Sequence, residues 1–183
     1  MREPVSSPFT SFLAQHFDQI NDYLATFFDG QATSADIERY LYTPLSAFTA
    51  NAGKRHRPLI CMLAATAVGG SFESARSAAA AIEHFQSGAL IHDDIADNGQ
   101  IRRGKPCMHL PEGTGLAINC GALALTMVTK TVLDDPTLNA DVKLHVLHEL
   151  TEMIVRTIEG QALDLGWVRD ERFDISVDDY LDM

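Results

Sequence analysis

Phe9, Phe12, Leu13, Phe17, Ile20, Leu24 and Phe27 recur every three to four residues, the spacing that lines apolar side chains along one side of an α-helix. Ile37, Tyr40, Leu41, Leu45 and Phe48 continue that period, with Ser34 placed to cap their helix. Pro58 suits the first turn of a third helix, "RPLICMLAATAVGG", which Gly69 and Gly70 stop. Ser71 then caps a long helix through residues 72–97, where an alanine run favours helix and lets neighbours approach closely; at 1.5 Å per residue it spans roughly 39 Å. "GTGLAINCGALALTMVTKTVL" predicts a further buried helix of small residues, and Val142, Val146, Leu150, Met153, Ile154 and Ile158 mark another. In "SVDDYLDM", Ser176 and Asp179 form a capping box for a last helix that runs for about two turns. Strand alternation is not apparent and no internal repeat is seen. The expected fold class is therefore all-α, built from long helices.

Composition agrees with a globular protein: 183 residues, 46% of them hydrophobic, suffice for one domain with a substantial core. Residues 1–8, with Pro4 and Pro8 around a serine pair, read as a flexible tail before a helical domain over 9–183. No stretch is expected to span a membrane and the first residues lack a signal peptide's order, so a cytoplasmic protein is expected. Cys61, Cys107 and Cys120 have no metal-ligand spacing and read as inert thiols. A net charge of -11 excludes a general nucleic-acid binder. Yet six of the fourteen basic residues fall in two short stretches, Lys54, Arg55 and Arg57, then Arg102, Arg103 and Lys105. An anion bound by this acidic chain is expected there.

The second of these stretches follows three acids in "HDDIADNGQIRRG". Asp93 and Asp97 are four apart, so on a helix they share a face with Cα atoms about 6 Å apart. Their mutual repulsion and the macrodipole at the helix C-terminus disfavour them together. A hard divalent cation removes both penalties, and Mg²⁺ commonly takes one or two carboxylates plus substrate phosphates. Alone, such a pair reads more readily as a solvated helix end. The arginines change the balance: Asn98 and Gly99 end the helix, "QIRRGK" returns as a loop, and guanidinium forks suit phosphate oxygens. Carboxylate-bound Mg²⁺ with arginine describes a diphosphate site. "GKRHRP" lies at a helix start, where free N–H groups attract anions, although it also reads as ordinary surface charge. Its glycine is not part of a nucleotide-binding loop. His145 and His148 with Glu149 and Glu152 read as a solvated helix face.

"GKRHRP", "EHFQSGALIHDDIAD", "RRGKP" and "EGQALDL" together resemble, in order and spacing, the trans-type isoprenyl diphosphate synthases of the polyprenyl synthetase family, as found among geranylgeranyl diphosphate synthases. The resemblance implies a bundle of long antiparallel helices around a central cavity, usually as a homodimer, of which this chain carries the N-terminal part. It implies a Mg²⁺-dependent, head-to-tail condensation of isopentenyl diphosphate with an allylic diphosphate. By the same resemblance, Asp93 and Asp97 hold the metal, with Asp94 supporting, and Arg102 contacts the allylic diphosphate. Lys54, Arg57, Gln86 and Arg103 hold isopentenyl diphosphate, while Gln161 and Asp164 form a polar layer facing the cavity. Gly88 and Ala89 occupy the floor of the chain-elongation pocket, and their small size implies a product of C20 or longer.

Two departures from the family pattern accompany these expectations. Ala122 stands where many relatives carry an acid, and a second Asp-rich motif is absent from the 183 residues, so turnover by this chain alone is not expected. A class I terpene cyclase shares the fold but lacks the paired "GKRxRP" and "RRG" signals. A catalytically incomplete partner subunit of a prenyltransferase is the non-enzyme alternative.

Overall fold

Several helices begin at side-chain caps supplied by serine. The computed structural model describes residues 7–51 and 53–183, the side chains of Phe9, Leu13 and Gln15 excepted. Residues 1–6 of the expected tail lie outside the described residues, while Ser7 caps α1 (Pro8–Ala25) by accepting from Thr10 N at 3.1 Å, with Pro8 as its first residue. Ser34 does the same for Ile37 N at 3.3 Å. It starts α2 (Ala35–Ile37), which continues through a wide π-type turn (Glu38–Tyr42) into α3 (Thr43–Ala50). Next comes α4 (His56–Ala67), stopped at Gly69, whose φ of 89° few other residues adopt.

Ser71 caps a tight turn over Glu73–Ala75, and the long helix α5 (Arg76–Ala96) starts only after it, four residues later than the sequence pattern places it. Asn98, at φ 53°, ends α5 in a Schellman-type closure, with Gly99 N donating to Asp94 O at 2.8 Å. The return loop contains a minimal hairpin, β1 (Ile101–Arg102) against β2 (Lys105–Pro106), where the sequence suggested no strand. Arg103 and Gly104 both have positive φ, 53° and 79°, as a two-residue type I′ turn requires.

The core of the first unit, residues 1–139, lies between α1, α4, α5 and α6 (Thr114–Leu133). Ile20, Leu24, Leu59, Met62, Ala79 and Ala80 form one cluster. Phe28, Leu45, Ile91, Met108, Cys120 and Ala124 form another. Packing of α5 on α6 is very close: an added Cβ at Gly88 would sit 2.9 Å from Gly121 O and from Leu125, and one at Gly121 would strike the His92 ring. Close backbone approach of this kind is what glycine uniquely permits.

By length and composition α6 is apolar enough to cross a membrane, the one such helix among the described residues. Its apolarity has a local reason, since Ala117, Cys120, Ala124, Met127 and Val128 all fill the core.

The second unit, residues 140–183, comprises α7 (Ala140–Arg169) and α8 (Val177–Asp182). The Ser176–Asp179 capping box is complete: Asp179 N donates to Ser176 Oγ at 3.1 Å and Ser176 N to Asp179 Oδ2 at 3.0 Å. His145, His148, Glu149 and Glu152 lie on an exposed face of α7.

Candidate functional site

The end of α5 sets the geometry. Gln86, Ala89, Asp93 and Asp97 fall on one stripe of the 3.6-residue period, and Asp97, exposed, closes the helix as its C-cap. Asp94 is one residue round and points inward, 2% exposed. There it meets the hairpin. Arg102 Nε donates to Asp94 Oδ1 at 2.7 Å, and its Nη2 donates to Asp93 Oδ2 at 3.1 Å. One guanidinium thus neutralises two carboxylates, and the hydrogen bond to Asp94 is the main reason its own pKa rises above the usual arginine value. Asp94 Oδ2 is buried with no hydrogen-bond partner among the described residues. Cys107, also buried, sits beside the same carboxylate; burial first and the Asp94 charge second raise its thiol pKa.

The hairpin also joins the two basic stretches, about fifty residues apart in sequence. Arg103 Nη1 reaches Asn51 O at 3.5 Å, and its guanidinium lies over Gly53, where a Cβ would be 3.5 Å from Arg103 Nε. Lys54, the residue after Gly53, and Arg57, in the first turn of α4, are exposed. A hollow of about 150 Å³ opens between α3 and the hairpin, walled by Phe48, Asn51, Arg102, Lys105 and Met108.

Arg55, in the middle of "GKRHRP", does not join this cluster. It adopts the left-handed conformation (φ 52°) and turns into the core, where it pairs with Glu83 and donates through Nε to Asn21 Oδ1 at 2.8 Å and through Nη2 to Thr49 O at 2.6 Å. Burial lowers its pKa, against the pull of Glu83. Beside it, His84 is wholly buried against the ring edges of Phe27 and Phe28, and burial drives its pKa down to about 4.

The expected pocket floor divides. Gly88 faces α6, where an added Cβ would meet Gly121 O and Leu125, so helix packing by itself calls for a small residue there. Ala89, half-buried on the stripe of Gln86 and Asp93, remains available for the chain-length role. Ala122 is exposed on α6, while its neighbour Gly121 admits the His92 ring, whose Nε2 lies 3.2 Å from Ile118 O. In the second unit, Gln161 is half-buried and Asp164 exposed; with Gly160 and Met183 they line a hollow of about 520 Å³.

As a metal site, the residues offer two oxygen ligands on one stripe, Asp93 and Asp97. No group of three or more candidate ligands converges among the described residues. Two carboxylates fit Mg²⁺, which keeps waters and substrate phosphates as its other ligands. Asp94 belongs beneath that pair as the anchor of Arg102. Sequence reasoning missed this anchor, together with the Arg55–Glu83 pair and Cys107; only the adjacency of Asp94 to Asp93 hinted at it.

A helical bundle with paired carboxylates at one helix end, faced by two converging basic stretches, defines the isoprenoid-synthase class. The polyprenyl synthetase family model matches residues 38–183, and the chain belongs to that family. It is 33% identical over 181 residues to a geranylgeranyl diphosphate synthase of Sulfolobus acidocaldarius, covering 97% of this chain and 52% of that protein. It is 36% identical over 131 residues to a short chain isoprenyl diphosphate synthase of Methanothermobacter thermautotrophicus, covering 72% and 39%. The crystal structure of a geranylgeranyl pyrophosphate synthetase from Pyrococcus horikoshii superposes with a TM-score of 0.85 at 27% identity, covering 97% of this chain and 53% of that one. The chain thus spans about half the length, or less, of these relatives.

Proposed function

We propose that the protein joins isopentenyl diphosphate head-to-tail to an allylic diphosphate, with Mg²⁺, to give a trans-polyprenyl diphosphate of C20 or longer. The observation that carries this reading is the seating of Arg103 on Asn51 and Gly53. It brings Arg103 over Gly53, the residue before the exposed Lys54, while Arg102, its neighbour in the hairpin, meets Asp93.

In this reading Asp93 and Asp97 hold the metal, which when bound neutralises diphosphate charge as the allylic C–O bond breaks. Arg102, tethered through Nε and Nη2, keeps Nη1 to donate to the allylic diphosphate. Asp94 fixes that orientation before substrate arrives, so no reorganisation is needed as charge develops. Lys54, Arg57, Arg103 and Gln86 hold isopentenyl diphosphate, whose double bond attacks the allylic cation to form the new C–C bond; the product then loses a proton to the diphosphate released when the allylic C–O bond breaks. Ala89, one turn before Asp93, leaves room for a growing chain. Ile118 and Leu133, about half exposed on α6, suit a face covered by a second copy.

Incubation of the complete gene product with Mg²⁺, isopentenyl diphosphate and C5, C10 or C15 allylic diphosphates tests the proposal. Elongation to C20 or beyond is expected, and no elongation with any of them overturns it. Arg103→Ala should raise KM for isopentenyl diphosphate at least tenfold while leaving KM for the allylic substrate near its starting value.

A further inference from the structure

Behind the cationic loop, on the side to which Arg55 turns, lies a cavity of about 450 Å³ between α1 and α3, within the size range of small-molecule sites. Phe17, Leu24 and Phe28 form its apolar wall. Asn21, Ser46, Thr49 and Arg55 form the polar side, and Arg55 is the one charged group among the described residues that line it.

Two observations show that this polar side has hydrogen-bonding capacity left over. Thr49, 3% exposed, has a buried Oγ1 with no hydrogen-bond partner among the described residues. Arg55, 4% exposed, uses three of its five N–H donors on Asn21, Glu83 and Thr49 O, leaving two. A buried donor without an acceptor is costly, and here the donors stand beside an empty volume rather than packed atoms. The charge of Arg55 is met by Glu83, so its two remaining N–H donors call for an oxygen acceptor beyond that pair, and the facing apolar wall calls for a chain.

We propose that this cavity binds a carboxylate-headed amphiphile, with its head on Arg55 and Thr49 Oγ1 and its chain against Phe17, Leu24 and Phe28. The site is separate from the diphosphate site proposed above. Arg55 faces away from the exposed Lys54 and Arg57, so the proposal stands or falls independently of that reading.

Titration calorimetry of the 183-residue chain with dodecanoate, below its micelle concentration, tests it. One saturable site per chain is expected, with dodecanol at least tenfold weaker. Ser46→Phe, which fills the cavity, should abolish binding. Thr49→Val removes the unpartnered hydroxyl at constant shape, and should raise the melting temperature while weakening dodecanoate about tenfold, as loss of one charge-assisted hydrogen bond implies. Inorganic diphosphate with Mg²⁺ should not displace dodecanoate. Absence of saturable binding, equal affinity for dodecanol, displacement by diphosphate, or a Thr49→Val variant that is stabilised yet binds unchanged would each overturn the proposal.

Discussion

Arg102 is bound to Asp94 more closely than to Asp93: Nε lies 2.7 Å from Asp94 Oδ1, and Nη2 lies 2.5 Å from that same oxygen but 3.1 Å from Asp93 Oδ2. Because the Asp94 side chain is 2% exposed and that of Asp93 30%, the inner contact is the structural one and the outer contact is available for exchange. Asp94→Asn should therefore cost about 2 kcal/mol of stability, the scale of a hydrogen bond to a charged group. A double-mutant cycle with Arg102→Met, read by urea unfolding, checks the pairing; additive effects would show that the two side chains do not act together.

Asp97 separates stability from function. It stands at the C-terminus of α5 with Asp93 one turn behind, so Asp97→Asn removes an unfavourable charge and should stabilise the fold by a few tenths of a kcal/mol. The same variant should lose Mg²⁺-dependent binding of an allylic diphosphate. Thermal melts and equilibrium binding on one preparation test both expectations.

At the pocket floor, neighbouring small residues should respond oppositely to enlargement. Ala89→Phe should fold and shorten the product to C15 or less. Gly88→Phe drives its side chain into the α6 backbone and should destabilise by several kcal/mol, since interiors tolerate overpacking poorly. Product chromatography and melting temperatures of the two variants distinguish them.

The Arg55–Glu83 pair is buried on both sides, with side chains 2% and 5% exposed. Removing either partner alone, as in Arg55→Met or Glu83→Leu, should cost about 3 to 5 kcal/mol by stranding the other charge. The double variant should recover most of that loss, as measured by chemical denaturation.

His84 gives the fold an acid limit. Its folded pKa of about 4 lies below the ordinary histidine value of 6.5, so between these pH values the unfolded chain binds more protons. Its neutral ring fits the core fully above pH 6.5, and this part of the stability is lost as pH falls towards 4, by about 3 kcal/mol in all. His84→Phe keeps the ring contacts, carries no proton, and should flatten the pH dependence of unfolding across that window.

What the sequence discloses is mostly local. The Ser34 cap, the Ser176–Asp179 box and the Asn98 helix end depend on side chains a few residues apart, and each is found where the pattern places it. The stripe of Asp93 and Asp97 follows from helical period alone. The hairpin was hidden because its turn is Arg103-Gly104, with arginine in a left-handed position usually filled by asparagine, aspartate or glycine. Glu83 finds Arg55 across 28 residues, and the Gly88–Gly121–His92 packing depends on two helices meeting. No local signal marks such partners, so a basic motif that reads as uniformly outward sends one of its arginines inward.

The closure of α5 onto its hairpin has a consequence for engineering. Gly99 N on Asp94 O, Cys107 N on Gln100 O and Arg102 on Asp94 bolt residues 93–107 into one piece, carrying both acidic and basic groups in fixed relation. Such a segment is a portable cassette: grafted onto another helix end with a glycine opposite, it brings its own charge balance and orientation, so a host would need to supply little beyond a place to seat Arg103.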